Sequence, residues 1–70
     1  MIESYRDLHV NIGDTIEYSC LGVKDKGKVL ELHWFMNRWE VTFQSSKGKG
    51  KITAPQYNCS VISKGYKEVN

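Results

Sequence analysis

Gly27-Lys28-Val29-Leu30-Glu31-Leu32-His33-Trp34-Phe35-Met36-Asn37-Arg38-Trp39-Glu40-Val41-Thr42-Phe43-Gln44 alternates apolar and polar residues with a period of two on both sides of a short break. Leu30, Leu32 and Trp34 fall on one face of the first half. Trp39, Val41 and Phe43 fall on one face of the second, with Glu40, Thr42 and Gln44 opposite. This alternation predicts two half-buried antiparallel strands. The break Phe35-Met36-Asn37-Arg38 contains an Asn, which suits a tight hairpin turn. Both tryptophans and most of the large apolar volume lie here, so the remaining chain is expected to pack against this hairpin.

At 70 residues the chain has room for one domain and a small core. The expected division is a core over about 13–63, a lead-in over 1–10 and a polar tail over 65–70. With 40% hydrophobic and 26% charged residues, disorder is not expected. No apolar run approaches the ~18 residues of a membrane helix. Met1 to Asp7 lacks the charged-then-apolar order of a signal peptide. A cytoplasmic protein without membrane contact is therefore the expectation.

The flanking segments read as further short strands. In the lead-in, Ser4 with Asp7 offers a weak capping box for one helical turn. Alternatively, Tyr5, Leu8 and Val10 cover one end of the core. Asn11-Ile12-Gly13-Asp14 is a turn. Thr15–Cys20 is a strand with Ile16, Tyr18 and Cys20 on one side. Leu21–Gly27 reads as a glycine-bounded connection, and Ser45–Gly50 as a flexible basic turn. Lys51–Ala54 is a short strand with Ile52 and Ala54 inward. Pro55-Gln56-Tyr57-Asn58 breaks it, because proline fixes φ and removes a donor; a 3₁₀ turn is expected there. Cys59–Ser63 is the last strand. No window beyond the first residues carries a 3.6-residue period, which disfavours a helical domain.

Five strands in so short an antiparallel meander cannot bury two faces as a flat sheet; closing on themselves removes the edges and encloses one core. At this point the chain resembles the SH3-like barrel superfamily, in particular its KOW and Tudor-like members. Gly13-Asp14-Thr15-Ile16-Glu17 is similar to the common entry to the first strand, and Gly27-Lys28-Val29-Leu30-Glu31-Leu32 to the second strand. Pro55-Gln56-Tyr57-Asn58 sits where such barrels make a 3₁₀ turn. The resemblance implies an all-β, five-stranded SH3-like barrel with a 3₁₀ turn before the last strand. The acidic loop and adjacent tryptophans of proline-peptide-binding relatives are absent, so that ligand class is not expected. The short basic turn leaves no room for the helix of an OB-type barrel.

Charge is unevenly spread. Up to Cys20, Arg6 stands against Glu3, Asp7, Asp14 and Glu17. From Lys24 to Lys51 the balance reverses: Lys24, Lys26, Lys28, Arg38, Lys47, Lys49 and Lys51 face only Asp25, Glu31 and Glu40. Such a basic zone points to a polyanion more strongly than a net charge of +2. The triplets Lys24-Lys26-Lys28 and Lys47-Lys49-Lys51 alternate with Asp25, Gly27, Gly48 and Gly50. In a meander both emerge at one end, as a rim of six ammonium groups suited to phosphates. The plainer alternative is a set of solvated lysines that discourage edge-to-edge pairing. Aromatics that would add base stacking are Trp34, Phe35, Trp39, Tyr57 and Tyr66, although the phase of Trp34 and Trp39 assigns them to the core. Phe35 is out of phase, and with Met36 and Arg38 it forms either an apolar anchor for a protein partner or a tip folded back over the core.

Cys20 and Cys59 share the inward phase and are expected as reduced core thiols. With His9 and His33 they lack the close spacing of a structural zinc module, so no metal is expected. Asn58-Cys59-Ser60 matches a glycosylation acceptor, expected to be an accidental match given the cytoplasmic expectation. Catalytic equipment is thin: His33 beside Glu31 is the one acid–base pair on a strand face. No phosphate loop, nucleophile elbow or carboxylate cluster occurs. The expectation is a non-catalytic module without cofactor that binds nucleic acid (DNA or RNA) through the lysine rim. The alternative is a small inhibitor or adaptor, of the kind viruses carry, docking on a larger enzyme through the hairpin tip or an edge strand. A monomer or a small homo-oligomer fits either reading.

Overall fold

The computed structural model describes residues 7–65. It is all-β, with strands β1 (Thr15–Cys20), β2 (Val23–Phe35), β3 (Arg38–Gln44), β4 (Lys51–Pro55) and β5 (Cys59–Ser63). A 3₁₀ turn over Gln56–Asn58 joins β4 to β5. The strands form one antiparallel sheet in the order β4-β3-β2-β1-β5. The helical turn anticipated from Ser4 and the position of Tyr66 lie outside the described residues.

β2 organises the sheet and corrects the sequence reading in two places. The connection expected over Leu21–Gly27 is only Leu21–Gly22, because Cys20 already pairs with Val23. Both turn residues have positive φ, 49° and 83°, the arrangement of a type I′ hairpin turn. Lys24, Lys26 and Lys28 therefore stand on a strand, paired with Ser19, Glu17 and Thr15. The second correction is a bulge. Val29 pairs with Phe43 but Glu31 pairs with Thr42, so Leu30 is the extra residue. Before the bulge the odd-numbered residues Asp25, Gly27 and Val29 face inward; after it Leu32 and Trp34 do. A bulge sharpens local twist, and it lets one strand serve both β1–β5 and β3–β4.

The core follows the alternation. Val10, Ile16, Val29, Val41, Phe43, Ala54 and Cys59 are buried, with Leu8, Tyr18, Leu32, Ile52 and Val61 packed around them. Each large apolar side chain so buried contributes roughly 1.5–3 kcal/mol. Tyr18 and Phe43 meet across the core with ring centroids 5.8 Å apart. Gly27 is required where β2 passes β3: a Cβ there would lie 1.6 Å from the Gln44 carbonyl oxygen.

Two buried polar side chains fasten the chain segments outside the strands. The Gln56 carboxamide accepts from the His9 N–H (3.1 Å) and donates to the Asp7 carbonyl (3.1 Å), tying the lead-in to the 3₁₀ turn. Asp14 accepts from the backbone N–H groups of Asn11 (3.0 Å) and Gly65 (2.9 Å). Burial pushes its carboxyl pKa up, but these two donors and the Lys64 charge outweigh burial and leave it below the ordinary value.

Candidate nucleic-acid interface

Asp25 is the residue on which the lysine-bearing end is built. It occupies an inward position on β2 and is buried. A strand interior ordinarily rejects aspartate, and a buried carboxylate needs donors. The β3–β4 loop supplies them. Ser45 Oγ donates to Oδ2 at 2.6 Å, and Ser46 donates to Oδ1 through its Oγ (2.9 Å) and its N–H (3.2 Å). The Lys26 N–H adds a fourth bond at 2.7 Å. The Ser45 hydroxyl heads the causes that lower the Asp25 pKa to about 2, and these donors together outweigh burial. The backbone joins as well, since the Ser46 N–H donates to the Lys26 carbonyl (2.9 Å). Lys47 Nζ donates to the Lys24 carbonyl.

This clamp brings the β3–β4 loop with Lys47 beside Lys24 and Lys26, in the half of β2 that begins at the Leu21–Gly22 turn. Lys24, Lys26 and Lys28 project from the outer face of β2, and all three are exposed. Lys47 and Lys49 stand on the clamped loop and Lys51 opens β4; these are exposed too. A shallow recess of about 210 Å³ lies between the segments, lined by Glu17, Lys24, Asp25, Lys26, Ser46 and Lys47. Counting Glu17, which pairs across the strand with Lys26, and the ionised Asp25, the six lysines remain in excess. Gly48 and Gly50, at φ 76° and 77°, have open space on their Cβ side. Ligand atoms can therefore approach that backbone closely.

The other end of β2 is apolar. Phe35 pairs with Arg38 around a two-residue turn, Met36–Asn37, again with positive φ at both positions (51° and 64°). Phe35 is 56% and Met36 77% exposed, so the tip does not fold back over the core. Trp39 is buried, as its phase implied. Trp34 is not: it packs edge-on against Trp39 at 5.5 Å yet remains 36% exposed, because the hairpin runs past the end of the core. A shallow groove of about 500 Å³ runs beside it, lined by His33, Trp34, Phe35, Glu40 and Thr53. Arg38 Nε is held by Glu40 at 3.0 Å, and His33 Nε2 lies 3.1 Å from Glu31. The Arg38 charge on this face is thus paired locally with Glu40. Tyr57 is exposed on the 3₁₀ turn.

Cys59 is buried, its thiol pushed up to about 11 by burial, and Cys20 is half-buried; both are free thiols. Among the described residues no group of three or more His, Cys, Asp or Glu side chains is placed to hold a metal ion, and no helix is long and apolar enough to cross a membrane. Sequence reasoning named the lysines but missed Asp25, Ser45 and Ser46. The available signal was an acidic residue in the inward phase of a lysine-alternating stretch, with a Ser-Ser pair opening the other basic segment. Comparison with known proteins returns no match among family models, curated proteins or solved structures.

Proposed function

We propose that this chain is a non-catalytic binding module, an SH3-like barrel that holds nucleic acid by its phosphates along the lysine rim. The carrying observation is the Asp25 clamp, which fixes Ser45-Ser46-Lys47 against Lys24-Asp25-Lys26. A set of merely solvated lysines needs no such internal anchor. The SH3-like reading draws support from the strand order, from the bulged β2 shared by two strand pairs, and from the 3₁₀ turn before β5.

A titration of labelled single- and double-stranded DNA and RNA by fluorescence anisotropy tests the reading. Six lysine–phosphate contacts predict affinity falling by about 10³-fold between about 50 and 200 mM salt. Lys26→Glu with Lys47→Glu should abolish binding. Unchanged binding by that double variant at low salt, or none by the parent protein, defeats the reading. A second reading, a protein-binding adaptor anchored on Phe35 and Met36, is favoured by their exposure beside Trp34. With Arg38 engaged by Glu40, that anchor is apolar rather than cationic. Phe35→Ala should then weaken capture of the partner by tenfold or more, as an interface anchor does.

A further inference from the structure

The lysine end carries one residue that charge does not explain. Leu21 is 98% exposed and has φ 49°. Each fact is unfavourable. A large apolar side chain is left in water, and a bulky L-residue is held in the left-handed region that Asn, Asp and Gly fill in type I′ turns. Positions that break local preference twice without a packing gain are where function is sought. Open space surrounds the Cβ side of the next residue, Gly22. Val23, on the far side of the turn, is 53% exposed. Lys24 follows directly, and the clamped Lys47 reaches the Lys24 carbonyl.

We propose that Leu21 is an apolar wedge that enters a groove of duplex nucleic acid and unstacks a base step while the lysines hold the flanking phosphates. This inference rests on the lysine-rim reading and names its ligand as a duplex. Apolar side chains inserted from a cationic frame unstack and kink duplexes in this way. The rim itself favours a duplex over a single strand: its cationic residues alternate with Asp25, Gly27, Gly48 and Gly50, and among the described residues its recess is lined by no aromatic on which bases stack. The arrangement also favours a linear polyanion over an anionic membrane. Lys24, Lys26 and Lys28 run down β2 away from the tip, so Lys28 lies roughly 23 Å along the strand from Leu21. A flat surface touching Leu21 leaves that end of the row behind. The opposite tip, Met36, shares the strained turn but has no such lysine row beside it.

The test uses a short DNA duplex containing 2-aminopurine, whose emission rises on unstacking, at about 50 mM salt. The parent protein should raise emission on binding. Leu21→Asn should abolish the rise and weaken binding by about tenfold, with the salt dependence unchanged. Asn-Gly is the preferred I′ pair, so this variant keeps its fold and its unfolding midpoint does not fall. Binding by the parent without a rise in emission, or equal behaviour of Leu21→Asn, overturns the wedge and leaves the rim reading standing. Failure of the parent to bind any nucleic acid defeats both. Leu21-dependent binding to phosphatidylglycerol vesicles without binding to the duplex overturns the wedge in favour of a membrane surface.

Discussion

The two ends of β2 are built on the same turn and surrounded by opposite chemistry. At Leu21–Gly22 and at Met36–Asn37 the chain reverses in two residues with positive φ, and in both an apolar residue takes the first, strained position. Near Leu21 the neighbours are lysines, and the adjoining loop is bolted down through a buried carboxylate. Near Met36 they are Trp34, Phe35 and an arginine already paired with Glu40. One long strand thus presents two surfaces, separated by the Leu30 bulge and the core beneath it. Backbone geometry alone does not distinguish them; the charges and the side chains that order them do.

The largest effect should come from the point where the lysine-bearing part of β2 leans on β3. In Gly27→Ala the new methyl meets the Gln44 carbonyl oxygen at 1.6 Å and Phe43 at 3.2 Å. Backbone lies on one side and the core on the other, so neither gives way cheaply. The expected cost is about 3 kcal/mol or more. A domain this small has roughly 3–5 kcal/mol in all. The variant should therefore be largely unfolded at 25 °C by urea titration. A shift of under about 1 kcal/mol would mean that β2 and β3 separate easily there, and that the lysine end is less rigid than the tip.

Acid separates the two ends next. The folded-state pKa of Asp25, about 2, is below the ordinary 3.8. A carboxylate with a depressed pKa contributes stability that is full above its unfolded value and is lost as pH falls through the folded value. The Asp25 contribution should thus be intact above about pH 4 and disappear on approaching pH 2. Asp14, also depressed, acts in the same direction near Gly65. Protonation of Asp25 removes an acceptor from the Ser45–Ser46 loop, whereas Trp34 and Trp39 pack edge-on against each other near the opposite end of β2. Amide protection at Ser46, taken relative to the intrinsic exchange rate at each pH, should therefore fall before tryptophan fluorescence changes as pH is lowered. In Asp25→Asn that early phase should be absent and the loop already open at neutral pH. Simultaneous change of both signals in the parent protein would show that the two ends open as one unit.

The same contrast explains what was legible in the sequence. Trp39, Val41 and Phe43 on β3, and Ile16 on β1, were readable because burial on one face imposes a period of two. Leu21 to Gly27 looked like a connection because the inward positions hold Asp25 and Gly27, residues that a strand interior disfavours. What reconciles them with a strand is distant in sequence: Ser45 and Ser46 for the carboxylate, Gln44 for the missing side chain. The bulge at Leu30 left the alternation after it intact while moving Val29 into the core, a shift that periodicity cannot register. Trp34 was read in the right phase but not at the right depth, since phase says which face a residue is on and not where the core stops. The lysines were visible; the clamp that orders them was not, because it joins residues about twenty positions apart.

The smallest effect tests whether the apolar tips are alike in cost but unlike in use. Met36 sits at φ 51° and is 77% exposed, so replacing it removes strain and little packing. Asn is tolerated in this region, whereas a longer L-residue costs about 1–2 kcal/mol there. Met36→Asn should accordingly raise stability by about 0.5–1 kcal/mol, a gain of a few degrees in thermal midpoint for a domain of this size. Its affinity for nucleic acid should stay within twofold of the parent, since Met36 lies at the opposite end of β2 from the rim. Leu21→Asn relieves the same kind of strain, so the pair forms a matched experiment in which only one substitution weakens binding. If both gain stability and only Leu21→Asn binds more weakly, the strain at Leu21 is retained for contact with the ligand. If Met36→Asn alone loses stability, the tip holds a packing contact that its exposure conceals, and the two ends differ in structure as well as in charge.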